Sequence, residues 1–175
     1  MHDEQTKKQI DEYLKCFGFN YGTVAAPGIN SKMDEVRAAF GLLNLRIIDN
    51  AISRRKQIAQ QYRENLCDVK GITLLNESPN VKYNYSYFPI FIDESQYGMS
   101  RDKLYDKLKQ HNIIGRKYFC PLISELPVYK NLISASQDNL PIANHMSQSV
   151  ICIPIHPELT HRDINNIISI LKNHY

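Results

Sequence analysis

The chain is 175 residues long, carries 21 Lys and Arg against 18 Asp and Glu, and has a formal net charge of +3. That balance, with no extended run of either sign, gives no support for nucleic-acid binding; no apolar stretch nears the roughly 20 residues that cross a bilayer, and Met1 to Lys8 has no signal-peptide core. These properties describe a soluble, cytoplasmic protein able to bury about 70% of its unfolded surface in one core, or in one core and part of another.

In chain order, residues 4–16 can form a short helix that Gly18 ends, followed by an irregular stretch from Asn20 to Gly28 containing Gly22 and Pro27. A polar run from Gly28 to Lys32 then leads into Val36, Phe40, Leu43, Ile47 and Ala51, and on to Ile58, Tyr62 and Leu66. The alternating steps of four and three residues are the spacing of one helix face, lapsing only at Arg54 and Arg55. Ser31 with Asp34 has the form of a capping box, so a helix from near Lys32 to about Leu66 is predicted. At 1.5 Å per residue it would span roughly 50 Å, longer than a domain of this size is wide; it must bend, for instance at Gly41, or bridge two bodies.

The start of that helix suits an anion. Unpaired amides, the flexible Gly28, the Asn30 amide, Ser31 and the Lys32 ammonium can together hold a phosphate. An ordinary capped helix, in which Asn30 and Ser31 only satisfy backbone donors, accounts for the same residues. Asp34 and Glu35 are adjacent and diverge around the helix, so Asp34 reads as a cap and Glu35 as a polar contact rather than as an acid–base pair.

Beyond Leu66, residues 71–75 read as a strand and Tyr83 to Ile92 as a second, with Pro89 marking an edge position or a bulge. Ser100 can cap a helix through about Gln110, and Ile113 to Phe119 returns as a strand. Pro121 to Pro141 winds, with a helical turn around Val128 to Ile133; a helix over Pro141 to Gln148 and a strand over Val150 to Ile153 follow. Thr160 and Asp163 form a second capping box ahead of Ile164, Ile167, Ile168 and Leu171 at helical spacing. The fold class expected is α+β: a small antiparallel sheet with helices on one face, preceded by the long helix.

No hydrolase, dinucleotide, P-loop or zincin motif is present. Cys16, Cys67, Cys120 and Cys152 are far apart and read as buried free thiols, and the six histidines show no ligand spacing, so no metal site is expected. Arg116, Lys117 and Tyr118 cluster near a chain reversal and could hold an anionic or hydroxylated ligand, or could simply face water from a half-buried strand. Tyr83, Tyr85 and Tyr87 alternate along one strand face, which points to packing.

Several runs carry a family resemblance. They are Phe17-Gly-Phe, Gly28-x-Asn-x-Lys-Met-x-Glu-x-x-Ala-Ala-x-Gly-Leu42, Arg54-Arg55, Tyr62, Leu66, Gly71-Ile, Tyr118-Phe-x-Pro121, Leu140-Pro-x-Ala143 and Ile153-Pro-Ile-His-Pro-x-Leu-Thr160. In this order they resemble the nucleotide-sugar aminotransferases of the DegT/StrS type, fold-type I enzymes that use pyridoxal 5′-phosphate. The resemblance implies transfer of an amino group, usually from glutamate, to a keto group on a nucleotide-linked sugar, with the cofactor as electron sink. It implies that Asn30, with Ser31 and Lys32, reaches the cofactor phosphate in the neighbouring subunit of a homodimer, and that Arg116 and Tyr118 approach the substrate.

It also implies that the family's Schiff-base lysine, the acidic partner of the pyridine nitrogen and a glycine-rich segment belong upstream of Met1. Lys32 matches the basic residue of the asparagine motif, not the cofactor lysine. Histidines seen in the family near Tyr118 and around Ser86 are replaced. The organisation expected is therefore a remnant of the large cofactor domain at residues 1–31, a connecting helix at 32–68 and a C-terminal small domain at 69–175, inactive alone. A noncatalytic binding or oligomerisation module, or a sensor derived from the same fold, is the alternative.

Overall fold

The computed structural model describes residues 4, 5, 8, 19, 20, 23, 24, 33–118 and 120–173. Most of the expected first helix, Cys16, and the phosphate-site residues Gly28, Asn30, Ser31 and Lys32 lie outside the described residues. The chain divides into two compact units, Met1–Ile48 and Asp49–Tyr175.

In the first unit, β1 (Phe19–Asn20) pairs antiparallel with β2 (Thr23–Val24). The long helix α1 runs over Glu35–Leu66, 32 residues or about 48 Å, and so continues into the second unit. Among the described residues its cap is Asp34, whose Oδ1 accepts the Arg37 amide at 2.9 Å while Oδ2 takes the Arg37 guanidinium at 2.8 Å. The helix thus begins later than Lys32, because the Asp34 carboxylate satisfies a free amide of the first turn.

The second unit is built on a three-stranded antiparallel sheet in the order β3 (Ile72–Leu74), β4 (Phe88–Ile92), β5 (Val150–Ile153). Between β4 and β5 lie α2 (Glu94–Tyr97), α3 (Arg101–Gln110) and α4 (Pro141–Ser149), with short 3-10 turns at Ile123–Glu125, Ile133–Ala135 and Gln137–Asn139; α5 (His161–Lys172) follows β5. Phe88, Ile90 and Ile92 alternate with less buried residues, and their neighbours in register, Ile153 and Ile151, join them in one core. Ile58, Tyr62 and Leu66 of α1, Leu104 and Leu108 of α3, and Ile164, Ile167 and Leu171 of α5 complete that core, so the helices cover one face of the sheet. The α+β expectation agrees with this architecture.

Three local expectations need correction. The strand expected from Tyr83 begins only at Phe88, because Tyr85 adopts φ 52° and the two-residue alternation breaks there. Pro89 belongs to the middle strand in sheet order, but β3 pairs only as far as Ile90, so at Pro89 the strand has a partner on one side, a local edge position as expected, and the missing N–H costs no ladder bond. The strand expected over Ile113 to Phe119 reduces, among the described residues, to a single bridge between Arg116 and Cys152. Of the three described cysteines, all free, only Cys152 is buried; Cys67 and Cys120 are exposed, against the expectation of buried thiols.

Two tight approaches fix the frame. Gly71 has φ +80°, and a Cβ there would lie 2.3 Å from the Tyr97 amide nitrogen, so the turn into β3 requires glycine. Arg101, 5% exposed, donates through Nη1 to the carbonyls of Ser147 (3.0 Å) and Val150 (2.9 Å) and through Nε to Asp102 (2.8 Å), tying the start of α3 to the end of α4 and the start of β5.

Candidate functional site

The segment after β5 forms the wall of a cavity. Ile155 and Leu159 anchor it in the core, the Tyr62 hydroxyl donates to the Pro154 carbonyl at 2.9 Å, and Arg54 Nη2 donates to the Leu159 carbonyl at 2.8 Å. Burial, with the Asp163 charge as a lesser cause, holds the Tyr62 phenol far above the usual phenol range, so it serves as a fixed donor. This clamp from α1 presents Pro154 and His156 to the cavity.

Another part of the lining comes from residues whose partners are distant in sequence. Arg116 is aligned by mutual backbone hydrogen bonds with Cys152, 2.9 Å in each direction. Gly115 lets the chain approach this closely, because a Cβ there would stand 3.0 Å from Ile151 Cδ1 and 3.4 Å from the Cys152 carbonyl oxygen. Burial pushes the Cys152 thiol up to about 11, only partly opposed by the Arg116 charge, so the sulfur stays neutral at pH 7. The cavity, about 520 Å³, is lined by Arg55, Ser86, Tyr87, Arg116 and His156 among others, and no carboxylate borders it among the described residues.

Tyr118 does not line that cavity, but its ring lies 4.5 Å from that of Tyr87 at 41°, forming an aromatic ledge beside it. A hydrogen bond with Tyr87 raises the Tyr118 phenol above its ordinary value, with burial a smaller cause and Arg116 opposing. Lys117 is turned to other work: its ammonium is 2.7 Å from Asp102 and 4.7 Å from the centre of the Tyr105 ring. The lysine, with Arg101 opposite, holds the Asp102 carboxyl below the usual carboxylate range.

The expected pair Arg116 and Tyr118 therefore comes together near one cavity, while Asn30, Ser31 and Lys32 lie outside the described residues. Sequence reasoning names Arg55 only as a lapse in the helix stripe and within the family resemblance, with no role at a site, and it misses Tyr87 as a cavity residue. The signal for Arg55 is the break in the apolar stripe of the long helix; the alternation of Tyr83, Tyr85 and Tyr87 points to packing, yet Tyr87 lines the cavity and is 44% exposed. No group of three or more metal-ligating side chains occurs among the described residues, and no described helix is long and apolar enough to cross a membrane.

Comparison with known proteins agrees with this frame. The chain is 50% identical over 170 residues to dTDP-4-amino-4,6-dideoxy-D-glucose transaminase of Escherichia coli, covering 97% of the chain and 45% of that protein. It is 36% identical over 172 residues to the protein of the same name from Shigella dysenteriae, covering 98% of the chain and 46% of that protein. The chain thus spans about half the length of these curated relatives. Among solved structures, DesI in the presence of its TDP-sugar product superimposes with a TM-score of 0.80 at 29% identity, over 97% of this chain and 43% of the other. A model of the DegT/DnrJ/EryC1/StrS aminotransferase family matches residues 1–172, the stretch that carries the clamped wall, Arg116 and the tyrosine ledge, and the chain belongs to that family.

Proposed function

We propose that these residues form the C-terminal portion of a pyridoxal 5′-phosphate-dependent aminotransferase acting on a nucleotide-linked keto-sugar, with glutamate as amino donor. The family match over residues 1–172 carries this reading. The E. coli and Shigella relatives, named for dTDP-4-amino-4,6-dideoxy-D-glucose, favour a dTDP-linked 4-keto-sugar as acceptor. The organisation proposed is a cofactor-domain remnant at residues 1–31, a connecting helix at 32–68 and a small domain at 69–175.

When bound, the cofactor supplies an electron sink for moving the amino group. The chain's own residues supply binding and orientation. Asn30, Ser31 and Lys32, which precede the helix in the sequence, would hold the cofactor phosphate of the neighbouring subunit. Arg116 offers a forked cation to the substrate, and the Tyr118 phenol, kept protonated at neutral pH, can donate a hydrogen bond. Lys117, the lysine beside Arg116 and Tyr118, is ion-paired to Asp102 over the Tyr105 ring rather than turned to the cavity. That supports the reading that the chain alone does not transaminate.

A homodimer through the long helix and the Asn30 region is proposed as the functional assembly. It is supported by the exposed apolar stripe Val36, Phe40, Leu43 and Ile47, each more than half exposed.

The test has two arms. The 175-residue chain mixed with pyridoxal phosphate and reduced with borohydride is expected to show no labelled lysine by peptide mass spectrometry; stoichiometric labelling of one lysine overturns the claim of inactivity alone. A chimera joining the N-terminal part of the E. coli relative to this chain is expected to aminate the dTDP-linked 4-keto-sugar in a glutamate-dependent way. A folded, cofactor-loaded chimera that makes no amino sugar overturns the aminotransferase reading.

A further inference from the structure

Among the described residues, Tyr85 and Asn112 are the two non-glycine residues with positive φ. Asn112, at φ 58°, closes α3: its amide donates to the Lys109 carbonyl at 3.0 Å, an ordinary helix ending for an asparagine. Tyr85, at φ 52°, ends no helix, and a bulky aromatic residue is strained in that region. The strain has a geometric product. In an uninterrupted strand Tyr85 would share a face with Tyr87 and turn away from Phe88, and neighbouring residues would point to opposite sides. Instead Tyr85 packs against the core that holds Phe88, while Ser86 and Tyr87, adjacent in sequence, both line the cavity that Arg116 borders.

The group that secures this turn is the Glu77 carboxylate. Its Oε2 accepts the Tyr85 hydroxyl at 3.2 Å and its Oε1 accepts Arg63 Nε at 3.1 Å. The same guanidinium donates through Nη1 to the Leu75 carbonyl at 2.7 Å and stands 5.5 Å from the centre of the Phe88 ring, so the carboxylate ties Tyr85 to α1. On the far side of the turn, Asn84 Oδ1 accepts the Ser86 amide at 3.1 Å and the Ser86 hydroxyl at 2.9 Å. Burial, then the hydrogen bond and charge of Glu77, raise the Tyr85 phenol above its ordinary value, which keeps it a donor at neutral pH. The Arg63 and Glu77 side chains are 32% and 36% exposed; an ion pair in such a setting adds little stability, so its effect falls on orientation.

We infer that Glu77 is a positioning residue for the cavity: by anchoring the left-handed Tyr85 it turns Ser86 and Tyr87 together onto the cavity wall and holds the Tyr87 ring against that of Tyr118. Glu77 does not itself line the cavity and acts only through Tyr85. The inference rests on the aminotransferase reading only for what enters the cavity.

Two measurements test it. In nuclear Overhauser spectra of the 175-residue chain, the wild type is expected to show the strong intraresidue amide-to-Hα cross-peak of a left-handed Tyr85 and a cross-peak between the Tyr87 and Tyr118 rings. Glu77→Ala and Tyr85→Phe should each weaken the ring cross-peak at least threefold and keep the melting temperature within about 4 °C of the wild type. In the chimera with the N-terminal part of the E. coli relative, the same variants should raise KM for the dTDP-linked 4-keto-sugar at least fivefold with kcat within twofold. Glu77→Gln, which keeps one acceptor oxygen, should recover part of the loss, and Glu77→Ala combined with Tyr85→Phe should lose no more than the worse single variant, because both act on one path. An unchanged ring cross-peak in either variant, an unchanged KM in an active chimera, or additive losses overturn the proposal; so does a KM that rises only as the melting temperature falls. Should Glu77→Ala fail to fold, Tyr85→Phe, which deletes one hydroxyl from a half-buried ring, decides the matter on the same criteria. A folded chimera that makes no amino sugar, while the ring cross-peak still depends on Glu77, counts against the aminotransferase reading and leaves the positioning role standing.

Discussion

The two halves of α1 carry the same apolar spacing and meet different fates. Before Ile48 the stripe is open: Phe40 is 66% exposed and Ile47 59%. After Asp49 its continuation, Ile58, Tyr62 and Leu66, is fully buried against the sheet, and Tyr62 also packs its ring 5.2 Å from Phe88. Periodicity therefore specifies a helix with an apolar face; whether that face is a core or an association surface depends on what the rest of the fold brings to it.

Substitutions can break or sharpen this contrast. Tyr62→Ala removes a buried ring and its hydrogen bond to Pro154, and should cost about 3–5 kcal/mol in urea denaturation; a loss no larger than that at Phe40 would erase the distinction between the halves. Gly71→Ala, which forces a side chain into a left-handed turn against Tyr97, should cost about 1–3 kcal/mol at the turn that follows the buried half. Thr160→Ala removes the cap of α5 and should cost about 1 kcal/mol by the same measurement. Phe40→Glu should change the stability of the monomer by no more than about 0.5 kcal/mol, yet abolish the proposed dimer in sedimentation velocity experiments.

The cap of α5 also gives a pH signature. The Thr160 hydroxyl, then the Thr160 amide, hold the Asp163 carboxyl below its ordinary value. Because the folded value is the lower one, the contribution is present above the unfolded carboxylate value of about 3.9 and is lost as pH falls from there through the folded value. Asp163→Asn should remove that part of the acid dependence, read from chemical denaturation between neutral pH and the acid limb.

What the chain's order of residues determined by itself was local. The Thr160–Asp163 box, the Ser100 cap that accepts the Lys103 amide, and strand Val150–Ile153 were all legible, because capping and short apolar runs depend on neighbours a few residues away. The length of α1 was legible for the same reason. Only the tertiary structure decided the rest. Tyr83 to Tyr87 and Ile113 to Phe119 have strand composition, but a strand exists only where a partner reaches it: β3 pairs with β4 no further than Ile90, and among the described residues of 113–119 a single bridge joins Arg116 to Cys152. The site follows the same rule. Arg116 and Tyr118 were visible as neighbours in a basic, aromatic segment, whereas Arg55 and Tyr87 joined them only because α1 and β4 meet the segment after β5, a pairing across long chain separations that no local pattern encodes.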